Sequence, residues 1–194
     1  IVDSRKSMYS IKKMKLRRLL QKDLPVILEW RNQYDVRNMM KNKRIISKKE
    51  HQNWFSIVDT DNACEWMVVE YDGLDVGVTG ITNLNSKNKT CTWSMYLSPE
   101  MKNTGLGLLI EIKTIDRIVF EHKIKTIWGE ALIKNKSVIT IHKKCGFEIG
   151  DECIDQFNKR SETENFVKIK MNSIGWKEKR KEIIEEFNLD SMES

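Results

Sequence analysis

Two short segments in the second half of the chain combine residue types that could bind a phosphate group and donate a proton. A glycine loop that opens a helix presents backbone N–H groups, and the helix dipole adds partial positive charge there. Such a loop can equally be a plain turn. The second segment, residues 135–147, contains His142, whose imidazole donates a proton in its charged or its neutral form. The residues of the loop are Lys102, Asn103, Thr104, Gly105, Leu106 and Gly107.

Hydrophobic periodicity predicts the strands that must position these segments. Apolar residues alternate or cluster at strand spacing over residues 14–20, 66–71, 74–78, 91–97, 126–133, 148–157 and 165–171. Asp72-Gly73 is a hairpin signal between the second and third of these strands.

Capping residues and helical spacing predict the helices. Asp23, with Pro25 in the first turn, is expected to cap a helix that ends near residue 33. Ser47 and Glu50 form a capping box for a second helix to about residue 58. Helical patterns follow over residues 108–119, 137–144 and 176–187. Strands and helices in this order predict an α/β fold with a mostly antiparallel, partly parallel sheet.

Taken together, the two segments resemble the acetyl-CoA site of the GCN5-related N-acetyltransferase (GNAT) superfamily. The first is similar to the family's Arg/Gln-x-x-Gly-x-Gly/Ala pyrophosphate loop, with Lys102 in place of Arg or Gln. The second is similar to Asn-x-x-Ala-x-x-x-Tyr-x-x-x-Gly-Phe, with His142 in place of Tyr. The resemblance covers residues 14–171. It implies a single-domain fold whose strand over residues 91–97 bulges and splays from its neighbour, leaving a V-shaped gap for the pantetheine arm.

The same resemblance assigns residues to acetyl-CoA binding and to the chemistry, and it implies no metal. Glu130 is expected to act as the base through a water molecule, and His142 as the acid that protonates the leaving thiolate. Glu130 could instead simply pair with a nearby lysine, and His142 could merely pack while solvent supplies the proton. The cofactor-binding set comprises Met95, Tyr96, Leu97, Lys102, Asn103, Thr104, Gly105, Leu106, Gly107, Asn135, Ser137 and Lys144.

A narrower resemblance comes from residues 28–32 and 46–55. They are similar to the sugar-nucleotide N-acetyltransferases of pseudaminic acid biosynthesis, which acetylate the 4-amino group of a UDP-linked 4-amino-4,6-dideoxy-sugar. This implies a role in surface-glycan formation, such as flagellin glycosylation. Arg31 could fork onto the pyrophosphate, whereas Trp54 could offer a stacking face or be an ordinary core aromatic. The substrate-binding set implied by the resemblance comprises Arg31, Met40, His51, Trp54 and Tyr96.

The Ser-x-x-x-His phrase at Ser47 and His51 also occurs in related acetyltransferases that act on protein N-termini. A protein N-terminal acetyltransferase is therefore the main alternative. A regulatory or nucleic-acid-binding module that retains the fold is a second alternative, since the net charge is +6 and the pI is near 9. Lysines and arginines are spread along the chain and mixed with acids, so we expect no nucleic-acid binding. No apolar run approaches the length of a membrane span, so we expect no membrane binding either.

Length and composition predict one soluble, cytoplasmic domain. The chain has 194 residues, of which 40% are hydrophobic and 32% charged. Four cysteines without metal-site or Cys-x-x-Cys spacing favour free thiols. We divide the chain into an N-terminal extension (1–13), the N-acetyltransferase domain (14–171) and a helical tail (172–194), with the natural start near Met8 or Met14. A homodimer is possible.

Overall fold

The computed structural model describes residues 9–154 and 165–189. One seven-stranded sheet has the order β1-β2-β3-β4-β5-β7-β6. Among the described strands, β4 and β5 pair in parallel and all other neighbours pair antiparallel. The predicted α/β fold with a mixed, mostly antiparallel sheet is confirmed, while residues 155–157 of the sixth predicted strand lie outside the described residues. The strands are β1 (Met14–Arg18), β2 (Glu65–Tyr71), β3 (Leu74–Asn85), β4 (Thr90–Leu97), β5 (Thr126–Leu132), β6 (Glu148–Ile154) and β7 (Asn165–Asn172).

Helices flank this sheet. The Ser47–Glu50 capping box opens α3 as predicted, with Glu50 N–H donating to Ser47 Oγ at 3.2 Å and Ser47 N–H donating to Glu50 Oε2 at 2.8 Å. The bond from the Ser47 backbone, helped by Arg44, lowers the pKa of Glu50 to about 2. The helices are α1 (Leu24–Asn32), α2 (Tyr34–Arg37), α3 (Lys48–Val58), α4 (Leu106–Asp116), α5 (Lys136–Lys144) and α6 (Trp176–Phe187).

The parallel pair β4–β5 is short, and this opens the predicted V-shaped gap. Pairing begins at Thr90–Thr126 and stops at Thr92–Trp128. Beyond Thr92, β4 continues along β3 as far as Leu97, while β5 follows β7. The expected bulge in β4 is wrong, because its register with β3 is regular over residues 92–97 and the irregularity lies on β3, between Thr82 and Asn85. Divergence of the two strands, rather than a bulge at the gap, separates them.

The sheet separates two apolar clusters. The larger cluster contains Met67 and Val69 from β2 and is covered by α4, α5 and α6. The smaller contains Val68 from β2, together with Ile27 and Trp30 from α1. Neighbouring residues of a strand point to opposite faces, which is why β2 supplies both clusters. Within the described residues, no helix is long and apolar enough to cross a membrane.

The C-terminal helix α6 folds back onto the sheet. Trp176 is buried, and its indole N–H donates to Asp116 Oδ1 on α4 at 2.9 Å. Arg180 also binds that carboxylate, at 2.8 Å. Beyond the helix, the Leu189 carbonyl accepts the Ile11 N–H at 3.1 Å, so the two ends of the described chain adjoin. The division of the chain at residues 13 and 171 stays a prediction.

Asp23 lies at the N-terminus of α1, but its side chain does not cap the helix as expected. Its carboxylate accepts from Arg17 Nη1 at 2.7 Å and from the Leu20 N–H at 2.9 Å. Asp23 is buried, and a buried carboxylate needs a cationic partner more than the helix needs a cap. Burial acts to raise the pKa of Asp23, but the hydrogen bonds from Arg17 and Leu20 outweigh it, so the net shift is downward.

The substitution Asp23→Asn is expected to lower the free energy of unfolding by about 2–3 kcal/mol at pH 7, since Arg17 is only partly buried. The native pKa is lowered, so the stabilisation is present above the unfolded pKa of about 3.9 and disappears as the pH falls through the native pKa. The difference in the free energy of unfolding between the wild type and Asp23→Asn, measured with urea, should therefore be smaller at pH 3 than at pH 7. Asp72→Asn is the control, because its pair with Lys13 is exposed. Equal losses from both substitutions would contradict the prediction.

Candidate active site

The glycine loop enters α4 through two residues in the left-handed conformation. Asn103 has φ 62°, and Gly105, the N-cap residue of α4, has φ 89°. The first N–H groups of a helix lack the usual acceptor four residues earlier within it, so this turn presents donors and the positive end of the dipole together, although the Leu106 N–H lies 3.5 Å from Thr104 Oγ1. A Cβ placed on Gly107 would lie 3.7 Å from Met95 Cε and 3.6 Å from Ile141 Cδ1. The first turn of α4 therefore sits beside both β4 and α5.

The stretch of β4 that lines the gap contains three residues of the predicted cofactor set. Met95, Tyr96 and Leu97 all lie beyond Thr92, where pairing with β5 ends. On the side facing the gap, none of the described strands pairs with this edge of β4, so its outward N–H and C=O groups could bind another molecule. Met95 and Leu97 pack against the larger cluster and Tyr96 against the smaller, so their side chains lie on opposite faces of the sheet.

The two lysines of the predicted cofactor set are engaged by acidic side chains. Lys102 Nζ lies 3.1 Å from Asp35 Oδ2, and Lys144 Nζ lies 3.0 Å from Glu186 Oε1 on α6. Both pairs are exposed, so each contributes about 1 kcal/mol or less and could give way to a phosphate. At the start of α5, Ser137 Oγ donates to Asn135 Oδ1 at 3.2 Å.

His142 is buried on α5 and faces α4. Its Nδ1 lies 3.0 Å from both carboxylate oxygens of Glu111, which has no exposed surface. The His142 ring meets the Trp93 ring edge-on, with centroids 5.6 Å apart. Trp93 is the first residue of β4 after the last pair with β5, so His142 lies next to the point where the gap opens.

Glu130 lies on the opposite face of the sheet. Its neighbours Gly129 and Ala131 on β5 are buried, whereas Glu130 retains 38% of its side-chain exposure. Glu130 Oε2 pairs with Lys41 Nζ at 2.7 Å, which is the alternative that the sequence left open. The pair is exposed, so the carboxylate remains accessible to water. Its role as a base stays a prediction.

Four of the five predicted substrate residues gather on the same face as Glu130. His51 stacks on Trp54, with centroids 5.1 Å apart, and Trp54 meets Trp66 edge-on. Burial, followed by the nearby Arg31 charge, lowers the pKa of His51. Burial also raises the pKa of Tyr96, an effect that Arg31 opposes. Arg31 is thus close to both rings.

Arg31 is only partly bound within this cluster. Its Nη2 donates to the Asn42 carbonyl at 2.7 Å, whereas its buried Nη1 has no hydrogen-bond partner in the described part of the chain. Burial lowers the pKa of this guanidinium. Met40, the fifth predicted residue, is half-buried in the turn after α2.

Residues 13–148 match the family described as the acetyltransferase (GNAT) domain. The chain belongs to the GNAT family. This confirms the resemblance carried by the two segments and identifies an acetyl-CoA-dependent N-acetyltransferase. Two relatives named Acetyltransferase PseH come from strains of Campylobacter jejuni. One is 26% identical over 141 residues, covering 72% of this chain and 86% of the relative. The other is 27% identical over 135 residues, covering 69% and 82%.

Solved structures of the GNAT fold agree with this assignment. The Vibrio cholerae spermidine N-acetyltransferase, in complex with CoA and spermine, superposes with a TM-score of 0.77. The two proteins share 16% identity, and the match covers 85% of this chain and 98% of the other. At this identity the likeness concerns the fold.

Sequence reasoning missed Glu111, the residue that binds His142 in this GNAT domain. The signal was present, because Glu111 stands between Ile110 and Ile112 in the most apolar helical stretch of the chain. A carboxylate on the buried face of a helix is costly unless it is paired. The sequence also gave no sign that Lys41 reaches Glu130, since 89 residues separate them.

Proposed function

We propose that this enzyme transfers the acetyl group of acetyl-CoA to the 4-amino group of a UDP-linked amino-dideoxy-sugar. The observation that carries the proposal is the cluster of Arg31, His51, Trp54 and Tyr96 beside the gap. A guanidinium with an unpartnered nitrogen suits a pyrophosphate, and aromatic rings suit a uracil or sugar face. The name shared by the Campylobacter relatives supports a place in pseudaminic acid biosynthesis, and thereby in surface-glycan formation and flagellin glycosylation.

The gap between β4 and β5 fits acetyl-CoA. The N–H groups at Gly105 to Gly107 would hold its pyrophosphate, because they belong to the N-cap and first turn of α4, where the helix dipole is positive. The free edge of β4 at Met95 to Leu97 would align the pantetheine arm, and one of its N–H groups would polarise the thioester carbonyl. Asn135 and Ser137 would complete the site from the start of α5.

The chemistry proceeds by direct attack within a ternary complex. Glu130 accepts the proton of the attacking ammonium through a water molecule, which its exposed position allows. The amine nitrogen bonds to the carbonyl carbon, and the bond from that carbon to sulfur breaks. His142 protonates the departing sulfur from the other side of the sheet. Holding the reactants in line lowers the activation barrier by several kcal/mol. Direct attack on the thioester therefore needs no enzyme nucleophile.

Cytoplasmic location and a homodimer also belong to the proposal. Both proposed substrates are polyanions of the cytoplasm, and the +6 net charge suits their approach. A spermidine N-acetyltransferase from Vibrio cholerae with the same fold is dodecameric (TM-score 0.72, 16% identity), which shows that this fold can assemble.

Release of free thiol from acetyl-CoA tests the acceptor. We expect the highest kcat/KM with UDP-linked 4-amino-dideoxy-sugars, and values lower by about 100-fold or more with N-terminal peptides, which lack a pyrophosphate to bind Arg31. Arg31→Lys keeps the positive charge but loses the two-pronged (bidentate) hydrogen bonding of the guanidinium. It should therefore reduce turnover of the sugar nucleotide while sparing any residual activity on peptides. Faster turnover of the peptides would assign the protein to the N-terminal acetyltransferases instead.

A further inference from the structure

A buried acid and a buried histidine form a pair behind the gap. Glu111 on α4 is fully buried and His142 on α5 is 4% exposed, with Nδ1 placed symmetrically at 3.0 Å from the two carboxylate oxygens. The Cys145 thiol, at the end of α5, is a further hydrogen-bond partner of Glu111. Because Nδ1 is engaged by Glu111, Nε2 is the ring nitrogen left to meet a molecule in the gap.

Burial fixes how many protons this pair holds. With two protons the pair is neutral, whether as carboxylate and imidazolium or as carboxylic acid and imidazole. In either form one proton lies between Nδ1 and Glu111, and the other lies on Nε2. With one proton the pair would be a buried anion, which an apolar surrounding disfavours. Burial accordingly raises the pKa of Glu111, although the hydrogen bond from His142 opposes this.

We infer that Glu111 is a positioning residue that lets His142 give its Nε2 proton to the leaving sulfur. The inference rests on the proposed role of His142 as the acid. A neutral imidazole without Glu111 could offer sulfur a hydrogen bond but not a proton, because losing that proton would leave an imidazolate. With Glu111 present, the shared proton settles on Nδ1 as the Nε2 proton leaves.

Protons and electrons balance in this step. The bond between carbonyl carbon and sulfur breaks, and sulfur leaves with the electron pair. Sulfur then takes the Nε2 proton, which leaves neutral imidazole hydrogen-bonded through Nδ1–H to the Glu111 carboxylate. The substrate nitrogen loses two protons, one when the ammonium becomes an amine and one after the carbon–nitrogen bond forms, and both pass through Glu130 to solvent. Solvent restores the proton on Nε2 after the product leaves.

Within residues 9–154 and 165–189, few other charges act on the pair of Glu111 and His142. Besides His142, the titratable group that contacts Glu111 is the Cys145 thiol at the end of α5. Burial raises the pKa of Cys145, as does the Glu111 charge, so this thiol stays protonated and acts as a donor. Lys144 on α5 and Lys179 on α6 reach the cluster electrostatically. The His142 ring also meets two uncharged rings, Trp93 from β4 and Phe147 from the connection between α5 and β6.

The first test reads the proton count directly. The chain has three histidines, so NMR of protein labelled with ¹⁵N-histidine resolves His142 by comparison with His142→Tyr. At pH 8 we expect both ring nitrogens of His142 to bind or share a proton in the wild type, and only one to do so in Glu111→Gln. A bare Nε2 or Nδ1 in the wild type at pH 8 would overturn the inference.

The second test is a pH profile of kcat in two backgrounds. Glu111→Gln should lower kcat by about tenfold at pH 8, because the proton that the wild-type pair shares is missing, and the loss should be smaller at pH 6. In the His142→Tyr background, which restores the family's usual acid, the same substitution should leave the shape of the profile unchanged. Two results would show that Glu111 only supports the fold. One is an equal loss of kcat at pH 8 in the wild-type and His142→Tyr backgrounds, and the other is no loss of kcat at pH 8 when His142 is present.

A control and a check on the proposed function complete the design. Thr114→Val changes another fully buried polar residue of α4, one that bonds Thr79 and not His142, so it should not alter the profile. If no acceptor gives wild-type turnover, the proposed function fails. The NMR result would still decide whether Glu111 and His142 hold two protons.

Discussion

Replacing Glu130 by Gln is expected to lower kcat by about 100-fold at neutral pH, with little change in KM for acetyl-CoA. The carboxylate lies on the face of the sheet that carries the proposed substrate cluster, and its exposure lets a water molecule relay the proton. Gln keeps the shape and the hydrogen-bonding reach but cannot accept a proton. Steady-state kinetics with the amino-sugar nucleotide, with both substrates varied, measures the effect.

The variant Lys41→Met distinguishes two roles of Glu130, that of a catalytic base and that of a partner in a structural ion pair. It removes the ammonium, which binds Glu130 and also lies 3.8 Å from the centroid of the Phe166 ring, but keeps an unbranched side chain of similar length. If Glu130 is the base, this variant should retain kcat within a fewfold. If the ion pair alone matters, the two substitutions should have equal and small effects, since exposed pairs contribute about 1 kcal/mol or less. Full activity of Glu130→Gln would remove Glu130 as the base.

Local rules explain why much of the fold could be predicted from the sequence. The capping box at Ser47 and Glu50, the Asp72-Gly73 turn and the alternating residues of β2 act over a few positions, so their signals survive in the chain. The loop before α4 is likewise local, because left-handed residues at Asn103 and Gly105 set the direction of entry into the helix.

Predictions failed where a residue interacts with a partner on another secondary-structure element. Asp23 looked like a helix cap, but Arg17 on β1 binds it because a buried carboxylate needs a charge. The gap depends on β5 following β7 rather than on a bulge in β4, and strand pairing across many residues leaves no local signal. Glu111 and His142 stand 31 residues apart, so only the packing of α4 on α5 unites them.

The two proposed proton-handling groups lie on different faces of the sheet. Glu130 points toward the face covered by α1 and α3, whereas His142 belongs to α5, which covers the opposite face together with α4. Where β4 and β5 diverge, the two faces communicate through the gap. An amine entering from the Glu130 face and a thiolate leaving toward His142 would therefore be arranged in line, as direct transfer requires.

Gly105→Val is expected to weaken acetyl-CoA binding by about 100-fold or more, because it would cost at least two charge-assisted hydrogen bonds to the pyrophosphate. Among the described residues, a Cβ on Gly105 would meet only the Tyr9 ring, at 4.0 Å, so the side chain has room in the protein and would occupy the space beside the loop where the pyrophosphate is proposed to bind. Strain at φ 89° adds about 1–2 kcal/mol, which a folded domain tolerates. Gly107→Ala is the matched control, since its Cβ would make ordinary contacts with Ile141 and Met95 and should change affinity little. Calorimetric titration with CoA measures both variants, and wild-type affinity in folded Gly105→Val would refute a loop that binds through its backbone.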